Sequence, residues 1–201
     1  MPRRAARPKP EPAKHKKTDA RVLRTRDRLG DALIALLKER PFRSITVQQV
    51  LERAGVGRAT FYTHYRNKND LLLSDLEEFL EGLASYLSRR KEKSDRIMPV
   101  REFCEHLLSA RPVQQAFRDS GHWQDFWELA QDAFARGIER RLAELPRART
   151  MAPARRRTHA QGHAGTLLGL LRFWLNRGMK ESPEEMDSLF HGIVWREDSS
   201  R

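Results

Sequence analysis

The sequence contains a single cysteine, Cys104, and comparatively few acidic residues. One cysteine cannot form a disulfide within the chain, and it cannot build the thiolate cluster of a structural zinc site. This excludes the disulfide-stapled domains of small secreted proteins and fits a reducing cytoplasm. Because 39 Lys and Arg outnumber 27 Asp and Glu, the formal net charge is +12. Such a charge suits a polyanionic partner, either nucleic acid or an anionic membrane surface, and does not by itself decide between them.

Long apolar runs are also missing. No run approaches the roughly 18 residues that a membrane-spanning helix needs. The N-terminal stretch MPRRAARPKPEPAKHKK lacks the apolar centre of a signal peptide. We therefore expect a soluble, cytoplasmic protein that has no membrane partner.

Patterns of catalytic or metal-binding residues are sparse. Cys104 and His106 lie close together without a third group to orient them, so a buried cysteine on an amphipathic helix is the preferred interpretation. His159 and His163 have the spacing of a helical metal pair, but no acidic residue or cysteine stands beside them. The segment GVG at residues 55–57 lacks the preceding strand and the lysine-hydroxyl pair of a phosphate-binding loop. We predict that the protein is not an enzyme and uses no metal or cofactor.

Composition divides the chain into three parts. Residues 1–17 are rich in Pro, Arg and Lys and have almost no large apolar side chains, so we predict a disordered basic arm. This arm either adds affinity for a polyanion or is only a solubilising tail. Residues 18–66 and 67–196 both carry apolar residues at three- and four-residue spacing and contain no convincing strand. The predicted fold class is all-α, with a three-helix head on a helical body and about nine helices in all.

Two short helices joined by a glycine turn are predicted in the head. The segment TVQQVLERAG opens with Thr46 and Gln49, a pair that can form a capping box. Gly55 follows the apolar face of this helix, at the place where a left-handed residue ends a helix. Another helix begins within a few residues, at Gly57 or Arg58. This arrangement is a helix-turn-helix.

The second helix of the pair, within GVGRATFYTHYRNKNDLL, has two different faces. Phe61 and Tyr65 lie four positions apart and are predicted to pack on the two preceding helices. The opposite face carries small, hydroxyl and aromatic side chains. Small side chains let a helix enter the major groove of DNA, while hydroxyls and cations reach phosphates and base edges. Asn67 is predicted to cap a further helix, and Lys68 at its start either meets a phosphate or is a solvated lysine.

Residues 24–72 resemble the DNA-binding domain of the TetR/AcrR family of transcriptional regulators, and FRSITVQQVLERAGVGRATFYTHYRNKNDLL matches it almost position for position. The resemblance implies a dimeric regulator of transcription, in most such proteins a repressor. It implies DNA contacts from Thr46, Gln48, Arg58, Ala59, Thr60, Tyr62, Thr63, His64 and Lys68. Bases are expected at Arg58, Ala59, Thr60 and Tyr62, and phosphates at Tyr62, His64 and Lys68. Thr63 departs from the larger aromatic or histidine that is common at its position.

Aromatic residues are concentrated in the middle of the body, to which a long helix over residues 69–88 is predicted to connect the head. The family resemblance implies a pocket for an apolar or aromatic small-molecule effector, whereas plain core is the alternative for each ring. The residues concerned are Phe103, Phe117, Trp123, Phe126, Trp127 and Phe134.

The last two predicted helices carry more apolar residues than one buried face can use. The segments LLGLLRFWLNRG and SPEEMDSLFHGIV resemble the dimerisation helices of the same family, although both could be internal core. The expected interface residues are Leu167, Leu171, Trp174, Leu189 and Ile193. A two-fold dimer implies a palindromic operator. The alternative function is a sequence-nonspecific, nucleoid-type DNA-binding protein, which the basic arm and the net charge would also suit.

Overall fold

The computed structural model describes residues 14–196, and every regular element in that range is helical. The α-helices are α1 (Lys14–Glu39), α2 (Val47–Ala54), α3 (Arg58–Tyr62), α4 (Lys68–Ala84), α5 (Tyr86–Arg89), α6 (Val100–Ser109), α7 (Arg111–Asp119), α8 (Trp123–Glu144), α9 (Pro153–Asn176) and α10 (Pro183–Arg196), with 3-10 turns at Phe42–Ser44 and Pro146–Ala148. The all-α prediction is confirmed. Residues 1–13 of the predicted arm lie outside the described residues, and residues 14–17 belong to α1, so that helix begins earlier than the predicted start at Thr18.

Local sequence signals fix the helices of the head. The predicted capping box is present, since the Thr46 side chain accepts a hydrogen bond from the Gln49 N–H at 3.2 Å and the Gln49 side chain accepts one from the Thr46 N–H at 2.9 Å. Gly55 ends α2 in the left-handed region, with φ of 60°. Phe61 of α3 is fully buried and belongs to the apolar core of the protein.

One apolar core runs from the head through α4 into the body. The predicted long helix is divided at Ser85 into α4 and the short α5. Near this division α4 crosses α8 closely, because a Cβ added at Gly137 would lie 2.6 Å from the Ala84 carbonyl oxygen. The segment that follows α5 is held by Arg141, whose guanidinium donates to the carbonyl oxygens of residues 92, 94 and 96.

The C-terminal helix α10 is fixed by a local capping box and by an ion pair to an earlier segment of the body. Ser182 and Glu185 form a capping box at the start of α10, with hydrogen bonds of 3.1 and 2.7 Å. Asp187 of α10 pairs with Arg96 at 2.8 Å, which attaches α10 to the segment before α6. Burial alone would raise the pKa of Asp187, but its hydrogen bonds with His191 and Arg96 lower it to about 2.

The predicted dimer interface needs a correction. Leu167, Leu171 and Trp174 of α9 are at most 1% exposed in the single protomer, so they are internal core and cannot reach a partner. The indole N–H of Trp174 donates to the Glu181 carbonyl oxygen at 2.9 Å inside the same chain. Leu189 and Ile193 of α10 are exposed, as the prediction requires. Sequence periodicity did not show which side of α9 packs on α8.

Candidate nucleic-acid interface and cavity

The short helix α3 has a buried face and an exposed face. Phe61 is fully buried, and its ring centroid lies 5.5 Å from that of Tyr65, which is also buried. The neighbouring Tyr62 is 51% exposed and meets the edge of Phe61 at 5.3 Å. The two inward rings therefore anchor the helix, and Tyr62 extends from it into solvent.

The exposed face of α3 holds most of the residues expected to contact DNA. Arg58, Ala59, Thr60, Tyr62 and Thr63 are all exposed, and His64 is half-buried. The Arg58 guanidinium lies 6.0 Å from the centre of the Tyr62 ring. The Thr63 hydroxyl donates to the Thr60 carbonyl oxygen at 2.6 Å. This hydrogen bond lies at the C-terminal end of α3 and already uses the hydroxyl proton of Thr63.

Two further predicted contacts, Thr46 and Gln48, lie at the start of α2, and both are exposed. The Thr46 side chain serves as the N-cap of the helix. Gln48 donates to the Glu52 carboxylate one turn later at 2.9 Å. Arg28 of α1 donates to the carbonyl oxygens of Ala54 and Gly55, which holds the turn between α2 and α3. The turn that orients α3 is therefore attached to α1.

Lys68 occupies a different environment from the one predicted. Its ammonium group donates to the carbonyl oxygens of Phe42 and Ile45, both at 2.7 Å, and lies 4.4 Å from the centre of the Phe42 ring. Burial lowers its pKa. In this arrangement Lys68 connects the start of α4 to the 3-10 turn before α2, a structural role that the sequence did not predict. The carbonyl oxygens that Lys68 contacts belong to residues 23 to 26 positions earlier, so the local sequence pattern could not predict this role.

Comparison with known proteins agrees with this geometry. Residues 29–74 match the sequence profile described as bacterial regulatory proteins, tetR family. The chain carries the DNA-binding domain of the TetR family. It is also 34% identical over 173 residues to an uncharacterized HTH-type transcriptional regulator, YxbF, of Bacillus subtilis strain 168, a match that covers 82% of this chain and 43% of that protein. The chain thus spans less than half of this relative. The family and this relative are described as regulators, not as enzymes.

Solved structures share the whole fold. The TetR-family transcriptional regulator of Streptococcus agalactiae 2603V matches with a TM-score of 0.52 and 22% identity, over 90% of this chain and 99% of that one. SmeT, the repressor of the Stenotrophomonas maltophilia multidrug efflux pump SmeDEF, matches with a TM-score of 0.51 and 20% identity, over 84% and 87%. The dihydroxyacetone kinase operon activator DhaS has a TM-score of 0.63 at 15% identity, over 86% and 95%. The TetR-family head is therefore joined to a body of the same architecture.

Behind the TetR-family head lies a cavity of about 290 Å³. Its walls come from α1, α4, α6, α7 and the start of α8, and they are mostly apolar. Four of the predicted aromatic residues line it, namely Phe103, Phe117, Trp123 and Phe126. The other two do not: Phe134 is fully buried core, and Trp127 lies at a separate, open groove beside Arg172.

Two charged residues at the cavity were missed by sequence reasoning. Asp75 of α4 and Lys38 of α1 both line it. Burial and the nearby carboxylates of Glu78 and Asp31 raise the pKa of Asp75 to about 6. A sequence signal did exist, because residues 72, 75, 76 and 79 share one helical face and Asp75 interrupts an otherwise apolar row. His106 is stacked on Phe79 with centroids 4.3 Å apart, and burial lowers its pKa.

Cys104 is fully buried in α6, and burial raises its pKa to about 12. The thiol therefore remains protonated and packs as an apolar group, which confirms the preferred interpretation of this residue. Within residues 14–196, no group of three or more His, Cys, Asp and Glu side chains could hold a metal ion. None of the helices in that range is both long enough and apolar enough to cross a bilayer.

Proposed function

We propose that this chain is a homodimeric, sequence-specific transcriptional repressor that acts in the cytoplasm, reads a palindromic operator with α3, and is released from DNA by a small molecule. The observation that carries the proposal is the exposed face of α3, where Tyr62 is 51% exposed beside Arg58. Repression needs only that the bound protein occupies its site. SmeT is a repressor and DhaS an activator on the same fold, so the direction of regulation needs its own measurement.

The construction of α3 supports a role in the major groove. A helix of five residues gains little stability by itself and depends on the burial of Phe61 and Tyr65. Apart from the contact of the Tyr62 ring with Phe61, its outward side chains do not contribute to that packing, so they are available for a partner. Ala59 and Thr60 leave room for close approach, and Arg58 can donate two hydrogen bonds to a guanine edge. The net charge of +12 adds attraction to phosphates whatever the base sequence.

An exposed apolar surface supports a dimer. Phe173 of α9 is 56% exposed, and Leu189 and Ile193 of the adjoining α10 are 47% and 38% exposed. Within the described part of the chain, no other element lies within 4 Å of a Cβ added at Gly169 or Gly192, so another backbone can approach both helices closely. We assign the dimer surface to these five residues, in place of the buried part of α9. Two copies related by a two-fold axis would present two α3 helices to half-sites about 34 to 36 Å apart.

The position of the cavity supports regulation by a ligand. Ile34 and Lys38 of the head form part of its wall, and α7, which lines the cavity, also packs against the 3-10 turn before α2. That turn is held to α4 by Lys68. A ligand that prefers one arrangement of α1, α4 and α7 therefore favours one placement of the two heads. A typical coupling between ligand and DNA would change operator affinity about 5- to 150-fold.

Selection of bound fragments from random DNA, followed by sequencing, tests the proposal. A repressor of this kind should enrich one sequence with two-fold symmetry. The control is the Tyr62→Ala Arg58→Ala double variant, which keeps the anchoring Phe61 and should enrich that sequence poorly. A reporter gene placed behind the enriched site should be silenced by the protein. A pool without any common sequence would favour the nucleoid-type alternative.

A further inference from the structure

The cavity behind the head contains a carboxylate that has no partner. Among residues 21–196, whose side chains the structure describes, none forms an ion pair or a hydrogen bond with Asp75. The cation that most affects it, Arg26, donates instead to the Ser74 hydroxyl at 2.9 Å and to the Tyr65 hydroxyl at 3.3 Å. Arg26 also lies 3.7 Å from Glu78. A half-buried carboxylate without a donor in the protein is unfavourable, so it marks a place where a ligand can supply one.

The helix opposite leaves space for this carboxylate. A Cβ added at Gly30 of α1 would collide with Asp75 Oδ1 and would lie 3.2 Å from its Cγ. Because Gly30 has no side chain, α1 and α4 can pack closely while Asp75 stays at the wall of the cavity. The absent side chain at Gly30 therefore leaves room for the carboxylate between the two helices.

The remaining walls suit a positively charged apolar molecule. Phe79 and Phe103 have ring centroids 6.1 Å apart, and Trp123 and Phe126 are stacked at 5.3 Å. Aromatic faces attract organic cations, and their ring bodies also bury hydrocarbon. We propose that the cavity binds an apolar amine, whose ammonium group pairs with Asp75 and whose hydrocarbon part lies among these rings. The inference rests on the effector site of the proposed function and names its ligand class.

The other charged groups near the cavity do not replace Asp75. Asp27 and Asp31 of α1 and Glu78 of α4 are acidic, and they add negative potential at the same place. Burial favours the neutral form of His106. Lys38 also lines the cavity, but it is exposed, so its ammonium group can be solvated. The wall of the cavity at Asp75 is therefore negative, which disfavours an anionic ligand.

Three compounds of nearly the same shape test the ligand class on the full chain. They are phenylbutylamine, phenylbutanol and phenylbutyrate, which carry a cationic, a neutral and an anionic end group. Binding is measured by calorimetry and by the emission of Trp123, with Trp123→Phe to identify the signal. A charge-assisted hydrogen bond should make the amine bind about 10- to 100-fold more tightly than the alcohol. Equal binding of all three compounds, or no binding of the amine up to about 1 mM, would overturn the proposal.

Substitution of Asp75 identifies the group responsible. Asp75→Asn should weaken the amine about 10- to 100-fold and change the alcohol less than about 3-fold. Glu77→Gln is the matched control, because it removes the same charge from an exposed position of α4 and should leave amine binding unchanged. The comparison of the three compounds on the wild-type chain does not depend on how either variant folds.

The pH dependence gives an independent readout. Amine binding to the wild-type chain should strengthen as pH rises through about 6, where Asp75 becomes charged. Asp75→Asn should remove this rise, whereas a contribution from His106 would survive in the variant. A rise that is the same in both proteins would count against Asp75.

The ligand class and the effector role fail in different ways. If the amine binds through Asp75 but operator affinity does not change, the amine site stands and the effector role fails. If phenylbutanol or phenylbutyrate binds as tightly as the amine and releases DNA, and Asp75→Asn has no effect, the effector role stands and the amine proposal fails.

Discussion

The carboxylate of Asp75 in α4 occupies the space into which a side chain at Gly30 in α1 would project. This contact lies where the helix-turn-helix head meets the body. It also places a carboxylate with a pKa of about 6 beside the acidic residues Asp27, Asp31 and Glu78, with Arg26 as the nearest compensating cation. The contact thus combines close packing and charge at one position.

Asp75→Asn should make the protein more stable at neutral pH. The pKa of this carboxyl is raised from 3.8 to about 6 on folding, so the folded chain binds the proton more tightly than the unfolded chain. The free energy of unfolding therefore falls as pH rises from about 4 to about 6 and stays reduced above that range. At pH 7 the variant should gain roughly 1 to 3 kcal/mol, and the gain should vanish near pH 4. Urea unfolding at several pH values measures the gain in stability and its dependence on pH. A gain that does not depend on pH would contradict the raised pKa of Asp75.

Lys68→Met should lower stability rather than phosphate affinity. The variant keeps the length of the side chain but loses hydrogen bonds to the carbonyl oxygens of Phe42 and Ile45. We expect the free energy of unfolding to fall by about 1 to 3 kcal/mol. Lys38→Met removes the same charge from an exposed position of the head and serves as the control. Unchanged stability together with a salt slope of DNA binding reduced by about one would restore the phosphate role of Lys68.

Arg58→Ala should reduce specificity at one base pair. Loss of a base contact should cost about 1 to 3 kcal/mol on the selected operator and much less on random DNA. Arg53→Ala is a useful control, since this guanidinium pairs with Glu39 at 2.8 Å elsewhere in the head. Competition binding with operators altered at each position measures the effect. Equal losses on operator and random DNA would show that Arg58 contacts only phosphate.

Phe173→Glu and Ile193→Glu should produce monomers. Each places a carboxylate on the proposed dimer surface, where burial without a partner costs several kcal/mol. Leu108→Glu is the control, because Leu108 is 38% exposed on α6, as Ile193 is on α10. Sedimentation velocity should give a dimer for the wild-type chain and the control, and a monomer with weak operator binding for both variants. A wild-type monomer that binds the operator tightly would contradict the dimer.

Removal of residues 1–13 should weaken DNA binding in a salt-dependent way. The segment contains Arg3, Arg4, Arg7 and Lys9, and each phosphate that they neutralise adds about one to the salt slope. A chain in which these four residues are Gln separates charge from length. If the wild-type chain, the chain without residues 1–13 and the Gln variant have the same operator affinity at low salt, the segment is only a solubilising tail.

The head could be predicted from the sequence because its signals are local. The capping pair Thr46 and Gln49, the left-handed Gly55 and the inward Phe61 each act within a few residues of the chain. The role of Lys68 could not be predicted in this way, because its partners lie 23 to 26 residues earlier. A charged side chain at a helix start has the same sequence pattern whether it meets a phosphate or a carbonyl oxygen.

The body was predicted less completely. The apolar residues of α9 indicated two buried sides, but not which side packs on α8. Leu171, which is internal core, was therefore assigned to the interface, and the exposure of Phe173 was not predicted. The sequence likewise could not show which aromatic residues line the cavity and which belong to the core. Phe126 and Phe134 lie on the same helix, and only the packing of other helices around them distinguishes the cavity position from the core position. The sequence does show Asp75 as a single charge within an otherwise apolar row of α4, and this pattern could have predicted a charged residue at the cavity.

The ratio of affinities for the selected operator and for random DNA of the same length tests the central claim most directly. It should be measured on the full chain at physiological salt by fluorescence anisotropy. If α3 reads bases, the operator should bind at least about 10³-fold more tightly than random DNA, and the Tyr62→Ala Arg58→Ala double variant should lose most of this preference. A ratio near one for the wild-type chain would mean that α3 does not read sequence, and that the protein binds DNA through charge alone.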